Sequence, residues 1–327
     1  MRSQLLSIFL ILSAAPSYSG EEPRARFSGR AEMTVARVAI DPGDPSRTRV
    51  GELTYLGGIQ LKSRARAFGG FSAMRVEGDR FTLLSDGGHV VRFTMDADFG
   101  VSRISFGELF DGPGTGWQKS DRDSESLTWD PATGQNWVGF EQSNTIWRYD
   151  RNGKAEARLA PLSMIRWHSN GGPEAMTRLK SGHFIVISET TSPRGDREET
   201  RREAVLFRGD PTHPRTPTVS FAYRPPAGYD PTDMAELPDG RLLILNRRLN
   251  LSSALFTAKL VIVDPVLIKA GTVLEGREIA AFAPPLLRDN MEALAVTQEQ
   301  GATIIWIASD DNRAWFEKSL LFKFRLD

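Results

Sequence analysis

The sequence predicts an all-β protein built as a β-propeller. Three observations carry this expectation. A short phrase returns five times, its copies stand about 50 residues apart, and the residues between copies read as short strands separated by turns. The phrase is an acidic or hydroxyl residue followed by a small and a large apolar residue. It occurs at Ser72-Ala73-Met74, Glu125-Ser126-Leu127, Glu174-Ala175-Met176, Asp233-Met234-Ala235 and Glu292-Ala293-Leu294. The keyed positions lie 53, 49, 59 and 59 residues apart, and the fourth copy reverses the small and large residues.

Within each unit the apolar runs are β-branched or aromatic, four to eight residues long and bounded by turns such as Glu77-Gly78-Asp79 and Pro238-Asp239-Gly240. The first unit has Phe81 to Ser85 and Val90 to Thr94, and the second has Trp137 to Phe140 and Ile146 to Tyr149. The third has Phe184 to Ile187 and Ala204 to Phe207, and the fourth Arg241 to Leu245 and Lys259 to Val263. The fifth has Ile304 to Ile307 and Leu320 to Phe324. No stretch sustains a 3.6-residue period, so little helix is expected. A fourth strand precedes the next phrase in units one to four, as Glu278 to Phe282 precedes Glu292. Unit five ends at Asp327 without one, and Glu52 to Gly58, ahead of Ser72, takes its place. An N-terminal strand would therefore complete the last blade and close the ring, which removes exposed sheet edges. The literal count is five blades, or six if the strand Met33 to Ile40 belongs to a degenerate unit.

Three segments follow along the chain: 1–19 as a signal peptide, 20–48 as an N-terminal linker and strand, and 49–327 as the propeller. Arg2, the apolar run Leu5 to Ala15 and the small-x-small site Ser17-Tyr18-Ser19 give the first segment its character. Its apolar run is half the ~20 residues a membrane span requires. The protein is thus expected to be periplasmic or secreted, with no membrane span after cleavage. Lys plus Arg and Asp plus Glu each number 41, so no global field favours nucleic acid or an anionic membrane. With no Cys, disulfides, thiolate catalysis and thiolate metal sites are excluded. Nothing in the composition sets the oligomeric state.

The repeat is also a site argument. Each keyed residue opens a first strand, and a second polar residue closes the next: Asp86, Glu141, Glu189, Asn246 and Asp310. Antiparallel neighbours place the start of one strand beside the end of the next, so these positions should crowd one end of the axis. The candidate metal ligands are Asp86, Glu125, Glu141, Glu174, Glu189, Asp233, Glu292 and Asp310. So many carboxylates raise one another's pKa unless cations neutralise them, and hard oxygen donors suit Ca2+ first and Mg2+ second. Equally, each acid could cap backbone N–H groups or pair with an arginine. Lys119, Arg122, Arg247 and Arg313 are the candidate substrate-binding cations, because Arg and Lys recognise phosphate or carboxylate. Glu125 and Glu174 are the candidate general bases, and His168, in a rim loop, is the third catalytic candidate.

Other motifs fail. Gly112 to Ser120 imitates a phosphate loop, but Gln118 stands where glycine must precede Lys119. Asp121, Asp123 and Glu125 alternate as in a Ca2+ loop without its central glycine. There is neither a G-x-S-x-G elbow nor an H-E-x-x-H motif.

The segments RDSESL, NGGPEAM, DPTDMAELPDGRLLILNRR and DNMEALAV, with IWIASDDN and SLLFKFRLD, together resemble the bacterial phytase-like proteins described as "esterase-like activity of phytase". The resemblance runs from about Gly51 to Asp327. It implies an exported propeller that hydrolyses phosphate or other esters. Asn246 departs from the pattern, since an acid is expected there. Histidine-acid-phosphatase signatures are missing, so phosphatase chemistry would be metal-based. The reading is therefore an exported metal-dependent hydrolase of a small ester or phosphoester. Two alternatives stand beside it: a non-catalytic propeller that binds an envelope ligand or partner, and a lactonase-type hydrolase.

Overall fold

The computed structural model describes residues 23–250, 255–313 and 317–327. Five antiparallel sheets form the propeller, and the first strand of each packs against the first strands of both neighbours to close a ring. Blade one is Phe71–Glu77, Arg80–Ser85, His89–Met95 and Val101–Glu108. Blade two is Ser124–Trp129, Asn136–Phe140, Thr145–Tyr149 and Ala155–Leu159. Blade three is Pro173–Arg178, Phe184–Ser188, Arg202–Phe207 and Thr218–Tyr223, with Val273–Leu274 added in parallel at its outer edge. Blade four is Asp230–Glu236, Leu242–Asn250, Leu255–Val263 and Arg277–Phe282. Among the described residues helix is confined to three single 3-10 turns.

Blade five joins the two ends of the chain. Asn290–Glu299, Ala302–Asp310 and Leu320–Leu326 supply three strands, and Leu53–Lys62 supplies the fourth, with Ile59 opposite Leu321 and Leu53 opposite Leu326. Thr34–Arg37 adds outside it, with Val35 opposite Leu61. The early strand is thus a fifth member of blade five rather than part of a sixth blade. The signal-peptide segment lies outside the described residues.

The core lies between blades. Each of the five interfaces holds its own apolar cluster, such as Trp137, Ile146, Met176 and Phe184 between blades two and three. This arrangement follows from the alternation of the strands, which bury one face against each neighbouring blade. Small residues line the innermost strands, where backbones converge: Ala73, Ser126 and Ala175 are fully buried. Gly139 shows the tightness of that approach. A Cβ there would meet Ser126 Oγ at 2.4 Å and the Pro173 carbonyl at 2.9 Å.

The ring positions are set by a repeated β-bulge. In every blade the ladder between first and second strands slips at one place, leaving Ser72, Glu125, Glu174, Thr232 and Glu292 as the extra residues. A bulge bends the strand and re-aims the extra side chain. The same registers align Asp86, Glu141, Glu189, Arg247 and Asp310, because each follows the residue paired just before the slip.

Blade four therefore corrects the sequence reading by one residue. Thr232, not Asp233, is the counterpart of Glu125, and Arg247, not Asn246, is the counterpart of Glu141. Asp233 occupies the small-residue position. It is buried, and its carboxylate accepts from the Met234 N–H at 2.8 Å and from the Leu294 N–H of blade five at 2.7 Å. It is an inter-blade clasp, like Ser72 Oγ donating to the Ser124 carbonyl and Ser126 Oγ to the Pro173 carbonyl, both at 2.6 Å. Asn246 is buried behind the ring, accepting from the Tyr223 hydroxyl at 3.0 Å and donating to the Ile244 carbonyl at 3.1 Å.

Candidate functional site

The bulges and strand ends gather Asp86, Glu125, Glu141, Glu174, Glu189, Glu292 and Asp310 at one end of the axis. Among the described residues, two groups are close enough to share a cation. Asp123, Glu125 and Glu141 each offer an oxygen within 4.8 Å of the others, and so do Glu141, Glu174 and Glu189. Glu141 belongs to both. Asp123 was missed in the sequence, where only its failed resemblance to a Ca2+ loop marked it. Strand periodicity gave no signal for it, because it precedes the strand Ser124–Trp129 and Glu125 is the bulged residue.

Three cations enter this ring. Arg247 donates to Glu189 Oε1 at 2.6 Å and pairs with Glu292 Oε1 at 2.9 Å. Asn290 orients the same carboxylate, donating to Glu292 Oε1 at 2.8 Å while accepting from Arg247 at 2.7 Å. Lys119 Nζ stands 2.6 Å from Asp86 Oδ2, and Arg313 Nη2 3.2 Å from Asp86 Oδ1. Gly70 makes room for this pairing. It sits at φ +67°, and a Cβ there would come within 2.5 Å of Asp86 Oδ1.

Among the described residues, eight carboxylates, counting Asp123, thus face three cations, and burial first, with the like-charged neighbours second, holds several of the acids above the ordinary carboxylate range. Burial first, then Glu174, Asp123 and Glu141, pushes Glu125 well above the usual carboxylate range. Burial, Glu189 and Glu141 do the same to Glu174, with Arg247 opposing. Glu141 is pushed up to about 7 by burial and by Asp123 and Glu189. Asp310 is raised by burial, Glu292 and Asp86. For the cations, burial lowers Arg247 and Lys119, but the facing carboxylates outweigh it and both are held above their ordinary values.

Besides Asp233, two further predicted residues fall outside this ring. Arg122 is buried, and its guanidinium donates to the carbonyls of Leu109, Phe110, Pro113 and Asp121. It staples the loop from Asp111 to Asp123, and its donors are committed to backbone carbonyls rather than turned to the acid ring. His168 is exposed, and its backbone N–H donates to Thr191 Oγ1 at 2.9 Å. It joins none of the acid groups.

A five-bladed propeller with a bulge-built polar ring at one end of its axis defines the class of this protein. The chain belongs to the phytase-like family described as esterase-like activity of phytase, whose model matches residues 66–313. No curated protein matches the chain. Solved structures of similar fold include an endo-arabinase from Bacteroides thetaiotaomicron, at 10% identity and TM-score 0.49, covering 79% of this chain and 94% of that one. A putative gluconolactonase covers 94% of this chain and 100% of its own at 10% identity and TM-score 0.46. Myxococcus xanthus glutaminyl cyclase has 12% identity and TM-score 0.44 over 79% and 91% of the two chains. These likenesses concern the fold alone.

Proposed function

We propose that the ring holds a divalent cation, Ca2+ in preference to Mg2+, and that the protein is an exported metal-dependent hydrolase of phosphate or other esters. The observation that carries this reading is the meeting of two carboxylate groups at Glu141 with too few cations to neutralise them. The donors fit the ion, since all are hard oxygens and none is a thiolate or imidazole. Asp123, Glu125, Glu141, Glu174 and Glu189 would hold it. A bound cation neutralises an anionic ester and lowers the pKa of a coordinated water.

The chain's own residues supply the rest. Lys119 and Arg313 stand on Asp86, and Arg247 bridges Glu189 and Glu292, so charged donors border the ring for an anionic ester. Asp310 lies outside both carboxylate groups, and burial first, then Glu292 and Asp86, raises its carboxyl, which suits it to a general acid or base role. Glu125 and Glu174, expected as bases from the sequence, become ligands in this reading.

The test is turnover of 4-nitrophenyl phosphate, 4-nitrophenyl acetate and a sugar lactone, each in millimolar Ca2+ and in chelator. Hydrolysis should require Ca2+ and fall at least about 100-fold in Glu125→Gln and Glu174→Gln, the scale of losing a transition-state charge contact. Equal turnover in chelator would overturn metal dependence, and Ca2+ binding without any turnover would favour the ligand-binding propeller. Export rests on the leader-like pattern of residues 1–19. Protein recovered from the envelope fraction should have an intact mass beginning near Gly20 or Glu21, and a retained Met1 would refute export with cleavage.

A further inference from the structure

The cleft between blades one and two holds a cavity of about 90 Å3 lined by Arg75, Arg92 and Arg151, with Leu84, Val90 and Val138 as apolar wall. No Asp or Glu lines it. It lies away from the acid ring: Arg75 is three residues beyond Ser72 on one strand, about 10 Å at the rise of extended chain. One water occupies roughly 10–15 Å3 on this measure, so the space admits a group of several heavy atoms.

The fold supplies an internal comparison for Arg92. Cross-strand register places Arg92, Arg148, Leu206, Ile262 and Lys323 at the same level on the third strands of blades one to five. Two of the five are apolar. Arg148 is paired with Glu156 and Asp210, and Lys323 with Glu299 at 2.6 Å. Among the described residues, no carboxylate pairs with Arg92. Arg92 is itself solvent-exposed at the mouth of the cavity, and partial desolvation first, with the Arg75 charge second, holds its pKa below the ordinary value.

Of the remaining basic groups, Arg75 is held by several partners and Arg151 lies exposed at the cavity edge. Arg75 donates to Asn136 Oδ1 at 2.9 Å and Glu77 Oε2 at 2.8 Å, and lies 3.7 Å over the Trp129 ring. Arg151 donates to the Thr133 carbonyl at 3.3 Å and has no acid beside it in the cavity wall. The Thr82 hydroxyl, between Arg75 and Arg92 in the register, adds a further donor.

We propose that this slot is a second ligand site, one that binds a small oxyanion, a phosphate or carboxylate group, between Arg92 and Arg151. A bidentate guanidinium matches either group, and the apolar wall accommodates a short carbon body behind it. The site needs no metal and is independent of the acid ring.

Calorimetric titration of the purified protein in chelator, with inorganic phosphate in one arm and acetate in the other, tests this. Binding in either arm, weakened at least about ten-fold in Arg92→Gln and in Arg151→Gln but retained in Lys119→Gln, supports the site, and the stronger arm identifies the preferred oxyanion. Because Arg92 has no acid to lose, Arg92→Gln should melt no lower than wild type without ligand, which separates lost binding from lost folding. Two results overturn the proposal: no binding of either anion at millimolar concentration, or binding that survives both arginine substitutions and disappears with Lys119→Gln.

Discussion

Millimolar Ca2+ should raise the melting temperature by about 5–8 °C over the chelated protein. A ligand present at 100 times its dissociation constant stabilises the native state by about 2.7 kcal/mol. In domains somewhat smaller than this one each kcal/mol moves the midpoint by roughly 2–4 °C. The shift should also depend on pH with a defined sign. Glu125, Glu174 and Asp310 are held well above the carboxylate range and Glu141 is pushed up to about 7. Between the ordinary carboxylate value and the raised one, the folded chain keeps protons that the unfolded chain has released. Stability from these groups is thus fully present at low pH and declines as pH rises through the raised values. The chelated protein should melt at a lower temperature at pH 7.5 than at pH 5, and Ca2+ should stabilise more at pH 7.5, where the ligands are more fully ionised. The double variant Glu125→Gln, Glu174→Gln should fold, lose the Ca2+ response and flatten the pH dependence. A chelated wild type that melts just as it does in Ca2+ across this range would leave the acids as structural partners of Arg247 and its neighbours.

Removing residues 21–62 should abolish cooperative folding altogether. The truncation takes away the fourth strand of blade five and with it Leu53, Ile59 and Leu61, each at most 2% exposed. Burial of each such side chain contributes about 1.5–3 kcal/mol, together a large part of a typical domain's net stability. It also uncovers the edge of Leu320–Leu326, which carries the buried Phe322 and Phe324 and invites strand pairing between molecules. Broad, non-cooperative melting with aggregation is the expected readout, and a peptide spanning residues 49–63 added in trans should restore solubility. A soluble truncation with an unchanged midpoint would show that the ring closes without this strand.

Blade number and closure were legible because both are written in local pattern. The phrase recurs, the strands alternate, and unit five lacks an outer strand that Leu53–Lys62 supplies. The register of blade four was not legible. Thr232-Asp233-Met234 contains a carboxylate one residue after the true ring position, and chemistry drew the alignment to Asp233. The bulge that decides the matter is a property of two strands together, so it has no signature in either alone. Thr232 could have been chosen on the precedent of Ser72, a hydroxyl at the same station in blade one. The place of the Arg122 side chain was not legible for another reason. A long side chain is directed by the loop around it, and the carbonyls of Leu109, Phe110 and Pro113 converge on this guanidinium only in the folded loop. Asp123 belongs to a loop-to-strand transition, where sequence periodicity begins too late to show which way the side chain faces.

With acids at every station, the ring would be rotationally degenerate, and a ligand on the axis could settle in five equivalent azimuths. Ser72 in blade one, and Thr232 with Arg247 in blade four, break that degeneracy. Negative charge concentrates around blades two and three, at Glu125, Glu141 and Glu174, while Arg247 places a fixed positive pole against Glu189 and Glu292. The field across the axis therefore has a direction as well as a magnitude. Blades one and four thereby give the axis a bearing that a fully repeated wheel would lack, with the positive pole at Arg247 and the negative one around Glu141.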